Sequence, residues 1–169
     1  MYKRQTKIAQ ALIPHAEING TDKAERTPLH YVQSLDALRL LLARGAKVNV
    51  QEGTGLFGNK GQTPLHRVPN SCIPLLLEKG ADISTLDKDS VFFHTGDERG
   101  YGTRFVYQGL TPLMSAIARH SDSQRFATFL KHAPRAEVLM QANALTVLAT
   151  FSENPEHLKM LNEYKQTSE

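Results

Sequence analysis

Gly61-Gln62-Thr63-Pro64-Leu65-His66 opens a segment that runs on to Leu75-Leu76-Leu77-Glu78-Lys79-Gly80-Ala81-Asp82-Ile83-Ser84. Thr63 suits a helix N-cap, because its hydroxyl can accept from a first-turn N–H. Pro64 suits the first helical position, where a missing N–H costs nothing. The leucines supply a core-facing second helix, and Gly80 a left-handed stop. The same order stands upstream as Glu25-Arg26-Thr27-Pro28-Leu29-His30, Leu40–Leu42 and Gly45-Ala46-Lys47-Val48-Asn49. Gly109-Leu110-Thr111-Pro112-Leu113-Met114 begins it a third time. An internal repeat of helix pairs predicts a stacked array in which each unit buries its apolar face on its neighbours.

These motifs resemble the ankyrin repeat, a β-turn finger followed by two antiparallel helices. The resemblance implies an all-α repeat solenoid of about three to four repeats. Residues 1–22 would form an N-terminal cap with its helix at 3–13, ending in Ile18-Asn19 and Asp22. Residues 23–60 form a repeat with an extended finger, and 61–108 a repeat carrying a β-hairpin insertion at 87–108. Residues 109–142 form a third, with a second helix at 123–132 whose Phe126, Phe129 and Leu130 face the core. Residues 143–169 make a degenerate capping repeat with helices at 143–150 and 155–164, capped by Asn154. Glu156, Lys159, Glu163 and Lys165 give that repeat a polar outer face.

The departures from the regular repeat are informative. Thr27 to Leu40 and Thr63 to Leu75 are shorter than the usual spacing, and Pro69 limits the helix after Pro64 to little more than one turn. The fingers are longer. Gln51–Lys60 is Gly-rich around Leu56-Phe57. Within 87–108, Val91–Thr95 and Thr103–Tyr107 are strand-like runs around a turn-rich link. One strand face would carry Val91, Phe93, Phe105 and Tyr107, the other Phe92, His94, Arg104 and Val106. Five of the twelve Phe and Tyr residues lie in this insertion. An isolated two-stranded hairpin is marginal in water, so some of them must pack on the repeats or on a partner.

Whole-chain properties narrow the function classes. The net charge is +3, with no basic run longer than Lys3-Arg4, which argues against nucleic acid as a partner. Cys72 is the single cysteine, so no intrachain disulfide forms and a reducing compartment is the simpler reading. No stretch approaches the roughly 20 apolar residues of a membrane span, and Ile8–Ile13 is too short and polar for a signal-peptide core. The expectation is a soluble chain, cytoplasmic at synthesis, free of membrane and monomeric when unbound.

No residue set carries a catalytic, cofactor or metal signature. The resemblance gives His30 and His66 a structural task, tying the finger to the helix start. Met114 replaces them in the third copy. His94, Asp97, Glu98, His120 and His132 lack ligand spacing. Cys72 reads as a small core residue, and Gly53–Gly58 as a loop.

The resemblance implies a non-catalytic module that binds another protein along the groove of fingers and first helices. The positions after the motif histidine are Tyr31, Arg67 and Ser115, with Arg119 one turn further. Phe57 and the insertion aromatics Phe92, Phe93, Tyr101, Phe105 and Tyr107 complete the candidate partner-binding set. Short chains with irregular repeats and long fingers look like bacterial ankyrin proteins. A role as effector delivered into a host cell, as immunity or accessory protein against a cognate toxin or enzyme, or as adaptor between two partners stays open. An enzyme with its site on the insertion lacks a supporting motif.

Overall fold

Each Thr-Pro-Leu segment turns the chain from an extended residue directly into a helix. Thr27, Thr63 and Thr111 all have extended backbones, with proline next at the first helical position. Two residues before each threonine the backbone is left-handed: Glu25 (φ 58°), Gly61 (φ 64°) and Gly109 (φ 75°). The computed structural model describes residues 17–55, 59–88, 90–96, 102–119, 123–152 and 154–167. Of residues 54–55, 59–60, 90–96, 102–105 and 107 it describes the backbone alone. The cap helix expected at 3–13 lies outside the described residues. Two compact units divide the chain, one ending at Asp82 and the other beginning at Ile83.

In the first unit, a four-residue 3-10 turn, Pro28–Tyr31, precedes α1, Leu35–Ala43. A β-bridge pairs β1 (Thr54–Gly55) with β2 (Asn59–Lys60) within the next finger. Then come α2 (Pro64–Arg67) and α3 (Ile73–Glu78). The first helices are thus single turns. Val68 reverts to extended backbone, and Pro69 follows it. Helix α1 is capped by the Ser34 hydroxyl, which accepts from the Ala37 N–H at 3.3 Å. It ends at Gly45 (φ 81°), where the Ala46 N–H reaches back to the Leu41 carbonyl at 3.0 Å. Helix α3 ends the same way at Gly80, with Ala81 bonded to Leu76 at 2.9 Å.

The leucine runs face the core only at their centres. Leu41 and Leu76 are buried, whereas Leu40, Leu42, Leu75 and Leu77 are half-buried. Three consecutive helical residues span too wide an arc for one interface. Leu29, Leu38, Leu65, Val68, Cys72 and Ile73 complete the core. Burial pushes the Cys72 thiol pKa up, which keeps it protonated and inert.

Adjacent repeats are clamped by asparagine. The Asn19 amide donates to the Gly45 carbonyl (3.1 Å) while its oxygen accepts from the Lys47 N–H (2.8 Å). Asn49 repeats the pair one repeat later, with the Gly80 carbonyl (3.0 Å) and the Asp82 N–H (2.9 Å). Each side chain satisfies an orphan carbonyl beyond a helix end.

The second unit holds β3 (Ser90–Gly96) and β4 (Gly102–Gln108), antiparallel, with Val91 opposite Tyr107, Phe92 opposite Val106 and Phe93 opposite Phe105. Residues 97–101 between them lie outside the described residues. Among the described residues five helices follow: α4 (Pro112–Ala118), α5 (Ser123–His132), α6 (Arg135–Met140), α7 (Ala142–Phe151) and α8 (Glu156–Gln166). Helix α4 packs on α5 and α7, and α8 packs on both of those. Their core is Leu113, Ile117, Phe126, Phe129, Leu145, Leu148 and Leu161. Asn154 caps α8 through the Glu156 N–H at 3.0 Å.

Helix α6 is absent from the sequence expectation, which left 133–142 without an element. Pro134 turns the chain, and Arg135-Ala136-Glu137-Val138-Leu139-Met140 are mostly strong helix formers. Arg135 ties α6 to α8, stacking over the Tyr164 ring at 4.6 Å and donating to the Tyr164 carbonyl at 3.0 Å. Lys165, expected on the solvent face, is half-buried and donates to the Thr146 hydroxyl at 2.8 Å.

Removing one asparagine clamp should loosen its repeat junction. Asn49→Ala is expected to lower unfolding free energy by about 1 kcal/mol, and Asn49→Asp by at least as much, because a carboxylate oxygen then faces the Gly80 carbonyl, acceptor against acceptor. Urea denaturation of the three chains checks the order.

Candidate binding surface at the finger bases

Every finger in the described residues is closed at its base by an acidic residue. The Asp22 N–H donates to the Arg26 carbonyl (3.1 Å), Glu52 to Gln62 (2.9 Å) and Asp87 to Leu110 (2.9 Å). The acceptor is always the residue before the motif threonine. Asp22 and Asp87 add a return bond, each Oδ1 accepting the N–H of that same residue, at 3.0 and 2.8 Å. One closure therefore carries loops of very different length, spanning residues 23–25, 53–61 and 88–109.

The free ends of these acids reach the candidate groove residues. The Tyr31 hydroxyl donates to Asp22 Oδ2 at 2.6 Å. Arg67 Nη1 lies 3.7 Å from Glu52 Oε2, and Arg119 Nη2 donates to Asp87 Oδ2 at 2.7 Å. Three of the four first-helix candidates are thus fixed by the acid that closes their own finger. Hydrogen bonds from Tyr31, Arg26 and Ala24 hold the Asp22 carboxyl below its usual pKa.

Asp22, Glu52 and Asp87 were not among the candidates. Their distance to the next threonine varies, which hides them. Their distance from the preceding repeat does not: each stands three residues after the end-of-repeat Asn19, Asn49 or Ser84.

In the first unit the contacts join into one chain of groups. Arg26 donates through Nε to the fully buried Glu52 carboxylate and lies over the Tyr31 ring at 5.9 Å. The Tyr31 hydroxyl and Glu52 hold the Arg26 pKa above its usual value. Arg67 completes the row, donating through Nη1 to Gln62 Oε1 at 3.3 Å. Tyr31 and Arg67 are therefore connected through Arg26 and Glu52, neither of which the sequence pattern singled out. The adjacent fingers also touch directly, Gly53 N–H to the Ala24 carbonyl at 2.9 Å.

The remaining candidates divide. Ser115 is buried at 1% exposure, and its hydroxyl donates to the Pro112 carbonyl at 2.8 Å. The expectation of a groove-facing Ser115 does not match that position: α4 is buried all round from Pro112 to Ile117, whereas Tyr31 and Arg67 at the same offset are exposed. Phe57 and Tyr101 lie outside the described residues, as do the side chains of Phe92, Phe93, Phe105 and Tyr107. Among the described residues, no three His, Cys, Asp or Glu side chains gather as a metal site. No helix there is long and apolar enough to cross a membrane.

The motif histidines hold the helix starts. His30 Nδ1 accepts from the Thr27 N–H at 3.1 Å, and its Nε2 lies 3.2 Å from the Gln62 carbonyl in the next finger. These contacts require neutral imidazole, with the proton on Nε2. His66 repeats the first contact with Thr63 at 3.1 Å. Where Met114 stands instead, the Thr111 hydroxyl accepts from the Met114 N–H (3.1 Å) and donates to Gln141 Oε1 (2.6 Å).

Burial lowers the His30 pKa from its ordinary 6.5, opposed by the bond to Gln62. Above 6.5 the ring is neutral folded or unfolded. Below it the unfolded chain takes up the proton more readily, so stability falls with falling pH. His30→Met, copying the third repeat, should weaken the loss of stability between pH 7.5 and 5.5. Urea midpoints at the two pH values measure it. Glu25→Gly relieves a left-handed non-glycine residue and should add about 0.5–1 kcal/mol in the same assay.

A family profile of ankyrin repeats, in three copies, matches residues 1–87. Its end coincides with Asp87, the acid that closes the longest loop. No curated protein matches the chain. Repeats of this kind are generally protein–protein interaction modules and typically non-catalytic. The chain belongs to the ankyrin repeat family.

Proposed function

We propose that the chain is a non-catalytic module that holds a partner protein with the finger row of its first unit and with the arm at 88–109. The observation that carries this reading is the anchored but accessible Tyr31. The residue is 52% exposed while its hydroxyl is fixed on Asp22. A large ring held in place loses little entropy on docking, which favours its use as a contact anchor. The titratable groups around it already hold loops, an arrangement that supports binding rather than acid–base chemistry. No cofactor enters the proposal, and the unbound chain is taken as a monomer.

The arm's place in this reading rests on its shared closure. Asp87 and Leu110 are bonded as Asp22 and Arg26 are, so the chain enters and leaves the long loop as it does a three-residue one. An effector delivered into a host cell and an immunity protein against a toxin use the same binding mechanism. The identity of the captured protein separates them.

The test replaces 88–109 by Lys-Ala-Gly, matching the shortest finger. The variant is expected to fold, with a Tm within a few degrees of the parent, and to lose its partner in affinity capture from bacterial and host lysates. Tyr31→Ala is expected to weaken the same capture. Equal recovery of the same partners by parent and both variants would falsify the reading. An arm-free chain that unfolds would assign the arm to the fold instead.

A further inference from the structure

Asn19 and Asn49 make the same clamp in successive repeats, but different residues follow them. Val50 follows Asn49, whereas Gly20 follows Asn19 and makes the one Asn-Gly pair in the chain. That pair is set up for an intramolecular reaction. With no side chain on Gly20, its backbone nitrogen can approach the Asn19 Cγ unhindered. The branched side chain of Val50 crowds the equivalent approach to Asn49. Asparagine amides are among the thermolabile groups of proteins.

The fold requires both halves of the pair. Asn19 spans the junction through the Gly45 carbonyl (3.1 Å) and the Lys47 N–H (2.8 Å). Gly20 closes the turn before the first finger, its N–H donating to the Glu17 carbonyl at 3.0 Å. A Cβ at position 20 would lie 3.0 Å from the Glu17 Cβ and 3.2 Å from the Glu17 carbonyl oxygen, so even alanine is crowded there. The same bonds restrain the reaction. Asn19 is engaged through both its amide nitrogen and its oxygen, and the proton that Gly20 must lose is donated to Glu17. Clamp and turn must open before the two groups can meet.

We propose that Asn19 is a site of spontaneous deamidation, gated by opening of the first repeat junction, and that the product prevents the clamp from closing as before. The Gly20 nitrogen gives its proton to solvent base and bonds to the Asn19 Cγ. The Cγ–Nδ2 bond breaks, and the amide nitrogen leaves as ammonia. Water, which reaches the exposed position 19, then opens the resulting succinimide. Attack at Cγ gives aspartate, and attack at the backbone carbonyl gives isoaspartate. In the aspartate, a carboxylate oxygen faces the Gly45 carbonyl, acceptor against acceptor. In the isoaspartate, the main chain gains a methylene three residues before Asp22, which closes the first finger. The second junction, built on Asn49-Val50, keeps its clamp.

Peptide mapping by mass spectrometry of the full chain, aged at pH 7.5 in a series of urea concentrations, tests this. In fully unfolding urea, Asn19 is expected to convert at least about tenfold faster than Asn49, because of the residue that follows each. In buffer, Asn19 is expected to convert at least about tenfold more slowly than when unfolded, and urea below the global transition should already raise its rate. The aged chain, separated by ion exchange on its added negative charge, should show a folding equilibrium constant about fivefold lower than the parent, and so should Asn19→Asp. If Asn19→Asp does not fold, the aged parent, which folded with its amide intact, still gives that reading.

Equal conversion of Asn19 and Asn49 in unfolding urea would overturn the assignment of the site. Equal conversion of Asn19 in buffer and in urea, or a rate that stays flat up to the global transition, would overturn the gating by the junction. An aged chain as stable as the parent would overturn the effect on the clamp. None of these readings involves a partner protein, so each stands apart from the capture experiment.

Discussion

The bond from a finger-opening acid to the carbonyl before the motif threonine is the constraint on which the rest depends. It sets where each finger begins and returns, and so where each Thr-Pro-Leu helix starts. At the Glu52–Gln62 and Asp87–Leu110 closures the N–H and carbonyl belong to buried residues, and an unmet buried pair would cost several times the net value of the bond. The side chain of the same acid then fixes Tyr31, Arg67 or Arg119 in the first helix. One residue thus links loop closure, helix start and exposed surface. The binding surface is built from the same bonds that hold the fold.

The fold was legible where local chemistry decides it. Thr-Pro at a helix start and Gly at a helix end act through their own backbones, and both appear where the sequence puts them. The single-turn helix before Pro69 and α5 at 123–132 follow for the same reason. Helix α6 was hidden because Arg135–Met140 has helix-forming residues without the apolar spacing that marks a core helix. Its hold on α8 comes from Arg135 and Tyr164, a contact between residues far apart in sequence.

The candidate surface was legible only in part. Tyr31 and Arg67 were found because they follow the motif histidine. Their supports were not, because Glu52 and Arg26 matter through contacts across a finger, and such pairing leaves no periodic trace. Ser115 shows the opposite failure. It holds the same repeat position as Tyr31 and Arg67, but its helix is buried all round from Pro112 to Ile117.

The common finger closure has a thermodynamic consequence. Loop-closure entropy grows with the logarithm of length, about (3/2)RT ln n. Lengthening a finger from three residues to twenty-two therefore costs only about 2 kcal/mol, less than one well-packed core leucine contributes. With both ends pinned by the same acid–carbonyl pair, added chain does not shift the register of the helices behind it. Length at these positions is thermodynamically cheap, while length inside the shortened helices is not. That asymmetry fits where this chain has grown and where it has been trimmed.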